Sequence, residues 1–121
     1  MHALVFEGAR KLAARIRQRE LSAVELARAF IAQVERVNPR VNAIVTFTPE
    51  VALEEARRID ERLARGEQVG PLAGLPIAYK DMIATRGVRT TLGSPIYADH
   101  VPTQDHAIVE RLRAAGVVML G

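Results

Sequence analysis

The chain has 121 residues, of which 49% are apolar, 26% charged and 4% aromatic, and its formal net charge is +3. This balance is typical of a packed globular chain of about one domain's length, and it argues against disorder, collagen-like repeats and a fibrous coil. The absence of cysteine excludes disulfides and zinc ribbons, and no apolar run approaches the roughly 18 residues of a membrane span. We therefore expect a cytoplasmic protein with no membrane partner.

The positive charge is spread evenly along the chain. Residues 1–70 carry 12 basic against 10 acidic side chains, and residues 71–121 carry 5 against 4. With so few aromatic side chains available for base stacking, we expect no direct contact with nucleic acid. The densest basic group has the spacing of the solvated side of a helix, with a phosphate-binding role as the alternative. It comprises Arg10, Lys11, Arg15, Arg17 and Arg19.

Two helices are predicted in the first third of the chain. The first follows Gly8 and carries an apolar face with helical spacing. The second is predicted over residues 22–37, because Ser22 and Glu25 have the spacing of a capping box. It is expected to stop at Asn38, since Pro39 disfavours helical backbone in the residue before it. The two predicted core faces are Ala9, Leu12, Ala13 and Ile16, and then Leu26, Phe30, Val34 and Val37.

The pattern changes to an apolar and polar alternation over residues 41–48, which predicts a short strand. Thr48 is then expected to cap a third helix over residues 50–65, with Pro49 at its first position. Gly66 is expected to supply the left-handed residue after this helix. The predicted core face of the third helix is Ala52, Ala56, Ile59 and Leu63.

The second half of the chain predicts two strands joined through a helix. Residues 66–76 and 84–104 are rich in glycine and proline and indicate loops. Apolar runs at Leu75–Tyr79 and Val117–Leu120 are predicted strands, and a helix over 105–115 is expected between them. Two strands connected in this way form a parallel pair, so the predicted fold class is α/β. Asp105 is the expected cap, Gly116 the expected stop, and Ile108, Leu112 and Ala115 the expected inward residues.

Most of the reactive residue types are not arranged for catalysis. No glycine-rich phosphate loop is present, so no nucleotide is expected. His2, His100 and His106 lack metal-ligand spacing and are interpreted as surface or capping residues, so neither a metal nor another cofactor is expected. Ser22 is interpreted as a cap, and Ser94 lacks the setting of an activated nucleophile.

Lys80 and Asp81 stand out because they follow the first predicted strand in a chain that has only one other lysine. Ligands in open α/β sheets bind at the carboxyl ends of strands. A lysine that is desolvated at such a place becomes neutral and acts as a general base. From spacing alone, a solvated lysine with a local ion pair is the favoured alternative. Asp81 is expected to accept nearby hydrogen bonds and to serve orientation or folding.

Residues 70–94, GPLAGLPIAYKDMIATRGVRTTLGS, closely resemble the N-terminal part of the amidase signature family, and similar matches occur at 105–107 and 111–121. The most specific match is the Pro76 to Asp81 segment. The resemblance implies a mixed sheet covered by helices and hydrolysis of carboxylic amides by two serines and a lysine, with Lys80 as that lysine. The family's two serines lie in a Gly/Ser-rich stretch that is downstream of the residues matched here.

The resemblance leaves three functions open. The first is an amidase that acts on a small-molecule amide. The second is the A subunit of a glutamyl-tRNA amidotransferase, which passes ammonia to a partner subunit; Met82 and residues 98–105 favour the first over it. The third is a non-catalytic interaction module.

Residues 1–121 are interpreted as the N-terminal fragment of a single larger amidase domain, because a two-stranded parallel sheet is not stable alone. The rest of the same polypeptide is then the main partner, and a homodimer stays open. On its own the chain is expected to associate and to be inactive.

Overall fold

The computed structural model describes residues 3–121, and within them the chain forms four α-helices and two short strands. The two strands are parallel and adjacent. This arrangement confirms the predicted α/β class. No helix in this part of the chain is long and apolar enough to cross a bilayer. The elements are α1 (Ala9–Arg17), α2 (Ala23–Val41), α3 (Pro49–Ala64), β1 (Pro76–Ile77), α4 (Ala107–Ala114) and β2 (Val118–Met119), with 3₁₀ turns at Leu4–Phe6 and Pro95–Tyr97.

The strand pair confirms the predicted parallel βαβ unit, although both strands are shorter than predicted. Pro76 lies opposite Val118, and Ile77 lies opposite Met119. Backbone hydrogen bonds continue on both sides of these residues, because the N–H of Val118 donates to Leu75 at 2.9 Å and that of Tyr79 donates to Gly121, also at 2.9 Å. The regular pairing is limited to these two pairs of residues.

Small side chains dominate the main core. α2 and α3 face each other through alanines, and Val118 of β2 packs on the same cluster together with Leu120, which follows the strand. Small residues at a helix contact let the two helix axes come close. A second cluster joins α1 to the start of α2 through Leu12, Ile16, Leu21 and Leu26. The alanines of the main core are Ala23, Ala27, Ala52 and Ala56.

Helix α1 follows the prediction except at its first residue. Ala9, an expected core residue, is exposed, because it lies at the helix start before the chain reaches its partners. Arg15 is half-buried and its guanidinium pairs with Glu7 at 2.8 Å. The other basic side chains of this segment are exposed, which confirms a solvated face. His2 lies outside the described residues.

The start of α2 is fixed by three acceptors. The Ser22 hydroxyl accepts the Glu25 N–H, and the Glu25 carboxylate accepts the Ser22 N–H, both at 3.0 Å, so the capping box is confirmed. The Asp60 carboxylate of α3 accepts the N–H groups of Ala23 and Val24 at 2.7 and 3.0 Å. The exposed N–H groups at this helix end therefore find local and tertiary partners.

The predicted end of α2 at Asn38 is wrong, because the helix continues through Pro39 to Val41. Pro39 is exposed and lies in the last turn of α2. Proline has no backbone N–H, and so near the helix end its presence removes one of the few backbone hydrogen bonds that remain. Asn42 then adopts a left-handed conformation, with φ 46°, and donates its N–H to Asn38 at 2.7 Å. The Asn38 side chain exchanges two hydrogen bonds with the backbone of Ile44, both at 2.9 Å.

The strand predicted over residues 41–48 is also wrong. Residues 42–48 form bends held by the Asn38 side chain, and the N–H of Thr48 donates to Leu120 of the β2 segment at 2.8 Å. One such bond does not make a ladder. Thr48 occupies the position before α3 as predicted, but its hydroxyl makes no capping bond. The core face of α3 and the left-handed Gly66, with φ 73°, are confirmed.

Helix α4 is capped by His106 and not by Asp105 as predicted. The His106 Nδ1 accepts the N–H of Ile108 at 3.1 Å. The Asp105 carboxylate instead accepts the N–H of Arg86 at 2.7 Å. Ile108, expected to face inward, is 48% exposed in the first turn, and Val109 is the buried residue of α4. The stop at Gly116, with φ 96°, is confirmed.

Candidate active site

Lys80 and Asp81 lie immediately beyond the carboxyl end of β1, where the sequence predicts them. Two backbone hydrogen bonds fix this end of the strand: the N–H of Leu120 donates to Ile77 at 2.7 Å, and that of Tyr79 donates to Gly121 at 2.9 Å. The parallel geometry therefore brings the end of the β2 segment beside the residues that precede Lys80.

A cavity of about 220 Å³ opens at this end of the sheet. Four parts of the chain form its walls: the bends after α2, the residues after β1, the loop before the 3₁₀ turn, and Gly121. Loops at the carboxyl ends of parallel strands are the usual place for ligands in α/β folds. The lining residues are Ala43, Ile44, Val45, Thr46, Ala78, Tyr79, Lys80, Asp81, Ile83, Thr85, Val88, Arg89, Thr90 and Gly121.

The Lys80 side chain is exposed at the rim of this cavity. It makes no side-chain hydrogen bond or ion pair with any residue from 3 to 121, so within this part of the chain the amine is solvated, as in the alternative interpretation, but lacks the local ion pair. The Lys80 amine is therefore accessible to other groups that bind at the rim of the cavity. The partial desolvation expected in the complete protein stays a prediction.

The Asp81 side chain binds a turn of the following loop. Its carboxylate accepts the N–H of Thr91 at 2.8 Å and also accepts the Thr91 hydroxyl. Partial burial acts to raise the pKa of Asp81, but the hydrogen bonds from Thr91 outweigh it and hold that pKa below its ordinary value. The expectation that Asp81 accepts local donors is confirmed.

Two further polar groups of the cavity were missed by the sequence reasoning. The hydroxyls of Thr46 and Tyr79 are buried and have no hydrogen-bond partner among residues 3–121. Burial raises the pKa of the Tyr79 hydroxyl, so it stays protonated as a donor. No motif marks either residue, since Thr46 reaches the site only through the bends after α2.

Charged side chains of α3 and α4 form a network that contacts the backbone of β2. The Glu55 carboxylate of α3 accepts the N–H of Met119 at 2.7 Å and a guanidinium N–H of Arg113 at 3.3 Å. Arg113 also pairs with Asp105 at 3.1 Å. Burial raises the pKa of Glu55, despite the opposing effects of the Met119 N–H and Arg113. The network connects α3, α4 and β2, and through Asp105 it holds the loop that lines the cavity.

The remaining polar candidates have structural roles. Ser22 caps α2, and the Ser94 hydroxyl accepts the N–H of Ile96 at 3.3 Å. His100 packs edge-on against Tyr97, with ring centroids 5.8 Å apart. Across residues 3–121, no group of three His, Cys, Asp or Glu residues is placed to hold a metal ion.

Known proteins are similar to this chain in sequence and in fold. The sequence profile of the family described as Amidase matches residues 25–121. The chain is 52% identical, over 111 residues, to the A subunit of glutamyl-tRNA(Gln) amidotransferase from Methylococcus capsulatus, covering 92% of this chain and 23% of that protein. It is 44% identical over 118 residues to the protein of the same name from Carboxydothermus hydrogenoformans, covering 98% of this chain and 24% of that one.

The structure is similar to that of the native peptide amidase from Stenotrophomonas maltophilia. The TM-score is 0.89 at 32% sequence identity, and the match covers all of this chain and 25% of the peptide amidase. The α/β fold is thus shared with this peptide amidase over the whole of the chain. The chain belongs to the Amidase family, the amidase signature enzymes. It spans about a quarter of the length of the curated relatives it matches.

Proposed function

We propose that this chain supplies Lys80 as the catalytic base of a centre that cleaves carboxylic amides. The observation that carries the proposal is the position of Lys80, at the carboxyl end of β1 and at the rim of the 220 Å³ cavity. Lys80 also lies within the region matched by the Amidase family, in the segment whose resemblance implies the family's lysine. The proposed substrate is a small-molecule amide, the substrate class that the resemblance to the family implies.

The proposed reaction needs two serine hydroxyls from a part of the protein outside these residues. The neutral Lys80 amine takes a proton from the bridging serine, which takes one from the nucleophilic serine. The nucleophilic oxygen bonds to the carbonyl carbon, and the C–N bond breaks as the amine leaves with a proton returned through the same relay. Water then attacks the acyl ester and regenerates the serine.

The exposure of Lys80 fits a site that is completed by further chain. The curated relatives are about four times as long as the matched segment. We propose that residues 1–121 are the N-terminal part of one larger amidase domain, whose remainder covers the open rim. Such a cover would exclude water from the amine and favour its neutral form.

The test uses the full-length protein and compares substitutions at the chain's two lysines. Lys80→Ala is expected to lower kcat/KM for a simple amide by ~10²–10⁴-fold, and Lys80→Arg to fail almost as badly, because guanidinium stays protonated at working pH. Lys11→Ala is the matched control, since Lys11 is exposed on α1 and pairs with Glu7 at 3.4 Å. Near wild-type activity in a folded Lys80→Ala protein would overturn the proposal.

A second candidate function is that of the A subunit of an amidotransferase, in which the released ammonia is passed to a partner subunit. The observation that favours it is the 52% identity to a protein of that name, against 32% to the peptide amidase. Amide cleavage at Lys80 is common to both candidates. They differ in the fate of the nitrogen.

Product analysis separates the two candidates. The full-length protein is incubated with glutamine labelled with ¹⁵N in its side-chain amide, with glutamyl-tRNA(Gln) and with ATP and Mg²⁺ to activate the glutamyl carboxylate, alone and after co-purification with partner subunits from the same genome. Label in glutaminyl-tRNA only with the partners would support the amidotransferase. Release of labelled ammonia by the lone protein, with no transfer in either case, would support the free amidase.

A further inference from the structure

The loop after Lys80 contains a tight turn at residues 91–93 that is held by Asp81. The Asp81 carboxylate accepts both the N–H and the hydroxyl of Thr91, and the Asp81 carbonyl accepts the N–H of Leu92 at 2.8 Å. The N–H of Gly93 donates back to the Thr91 hydroxyl oxygen at 3.2 Å. We call these four hydrogen bonds the Asp81–Thr91 clamp.

The clamp holds a backbone conformation that leucine disfavours. Leu92 has φ 54° and Gly93 has φ 67°, so two successive residues are left-handed. Leucine adopts this region rarely because its Cβ crowds the following carbonyl. The Leu92 side chain is 49% exposed and so packs poorly against the core. The hydrogen bonds of the clamp, and not burial, therefore hold the turn.

The position of the Lys80 amine depends on the main chain on either side of it. The side chain has no hydrogen bond or ion pair of its own within residues 3–121. On one side the main chain is fixed by the Tyr79 N–H, which donates to Gly121 at 2.9 Å. On the other side Lys80 is followed by Asp81, and the Lys80 carbonyl accepts the N–H of Ile83 at 2.9 Å.

We infer that Asp81 and Thr91 are positioning residues, whose clamp fixes the main chain at Lys80 and thereby aims its amine at the reacting groups. The inference rests on the proposed function of Lys80. Misplacing a reacting group by about 1 Å lowers a rate by about 10²-fold, so a clamp that holds the backbone to this tolerance affects turnover directly. Burial of Thr91, which is 8% exposed, keeps water from replacing its bonds to the carboxylate.

The test measures kcat and KM separately in the full-length protein for Thr91→Val and Thr91→Ser. Thr91→Val keeps the shape and the N–H bond but removes the hydroxyl, and it is expected to lower kcat by about tenfold with KM within about twofold. Thr91→Ser keeps the hydroxyl and is expected to retain kcat within about twofold. Asp81→Ala removes both side-chain bonds and should lose more, about 10²-fold in kcat.

A double variant distinguishes an effect on the position of the Lys80 amine from an effect on the stability of the fold. Leu92→Gly, added to Thr91→Val, relieves the left-handed strain and is expected to raise Tm while kcat stays low. Recovery of kcat together with Tm would show a purely structural role and overturn the inference. So would a folded Thr91→Val protein with wild-type kcat, or loss of kcat in Thr91→Ser equal to that in Thr91→Val.

The Lys80 variants distinguish failure of the clamp inference from failure of the proposed function. If Lys80→Ala abolishes turnover and Thr91→Val does not lower it, the clamp inference fails and the proposed function stands. If Lys80→Ala is active and folded, both fail. Should Asp81→Ala not fold, the comparison of Thr91→Val with Thr91→Ser decides the inference.

Discussion

Gly121 lies at the point where β2 meets both walls of the cavity. Its carbonyl accepts the Tyr79 N–H at 2.9 Å. A Cβ at this position would collide with the Thr46 carbonyl and lie 2.6 Å from a methyl group of Ile44. Because the nearest obstacle is backbone, a side chain cannot be accommodated by a change of rotamer. Glycine here therefore sets how closely the bends after α2 approach the end of the sheet.

Gly121→Ala is expected to destabilise the intact protein by about 1–3 kcal/mol, since overpacking forces the backbone to move. Gly8→Ala is the control, because a Cβ there meets nothing within 4 Å and its φ of −66° suits any residue. Denaturant unfolding measures both. Equal stability of the two variants would contradict the close approach inferred at Gly121.

The buried Glu55 carboxylate leads to a prediction about how the stability of the fold depends on pH. Its folded pKa is raised by burial, so the fold binds the proton more tightly than the unfolded chain does. The stability from this group is therefore fully present below the unfolded pKa and is lost as pH rises through the folded pKa. Glu55→Gln removes this dependence while keeping an acceptor for the Met119 N–H, which the carboxylate binds at 2.7 Å.

The Tm of Glu55→Gln minus that of the wild type is thus expected to become more positive between about pH 4 and pH 7. Thermal unfolding of both proteins across this range measures the difference, and contributions of other groups cancel in it. Leu53→Met, at a half-buried position two residues earlier on α3, controls for substitution in this helix. If the Tm of the wild type instead rises relative to that of Glu55→Gln as pH increases, the raised pKa of Glu55 is contradicted.

At the scale of elements, the start of α2 depends on acceptors from two places. Ser22 supplies a local cap, whereas Asp60 reaches from α3 to two N–H groups, at 2.7 and 3.0 Å. Ser22→Ala is expected to cost about 1 kcal/mol. Asp60→Ala should cost more, about 1–3 kcal/mol, since it leaves two half-buried donors unpaired and loosens α2 from α3. Denaturant unfolding ranks the two, and a smaller loss for Asp60→Ala would contradict the tertiary cap.

Local signals predicted the elements whose stabilising contacts are local. The capping box of α2, the core face of α3 and the left-handed Gly66 all depend on residues a few positions apart. The α2 end and the segment after it were mispredicted, because Asn38 bonds to Ile44 across the turn and so replaces a strand with bends. The cap of α4 was mispredicted because Asp105, a good local cap, is engaged by Arg86 and Arg113 from elsewhere in the fold.

At the scale of the whole molecule, the strand side of the site was predictable and its opposite wall was not. The apolar run before Lys80 and the scarcity of lysine marked one side of the cavity. Thr46 and Gly121 are brought there by long-range packing that leaves no spacing pattern. Thr91 lies in the stretch that carries the family resemblance, but only the fold shows that it binds Asp81.

The proposed chemistry also concerns the molecule as a whole, since Lys80 acts on groups that lie outside these residues. The most direct measurement is the rate of acyl-enzyme formation in a single turnover of the full-length protein, followed as a mass increase of the quenched protein, for wild type and Lys80→Arg. The account predicts that Lys80→Arg, folded and with Tm near that of wild type, forms the acyl-enzyme ~10²–10⁴-fold more slowly. Acylation by Lys80→Arg within a few-fold of the wild-type rate would contradict the assignment of Lys80 as the base.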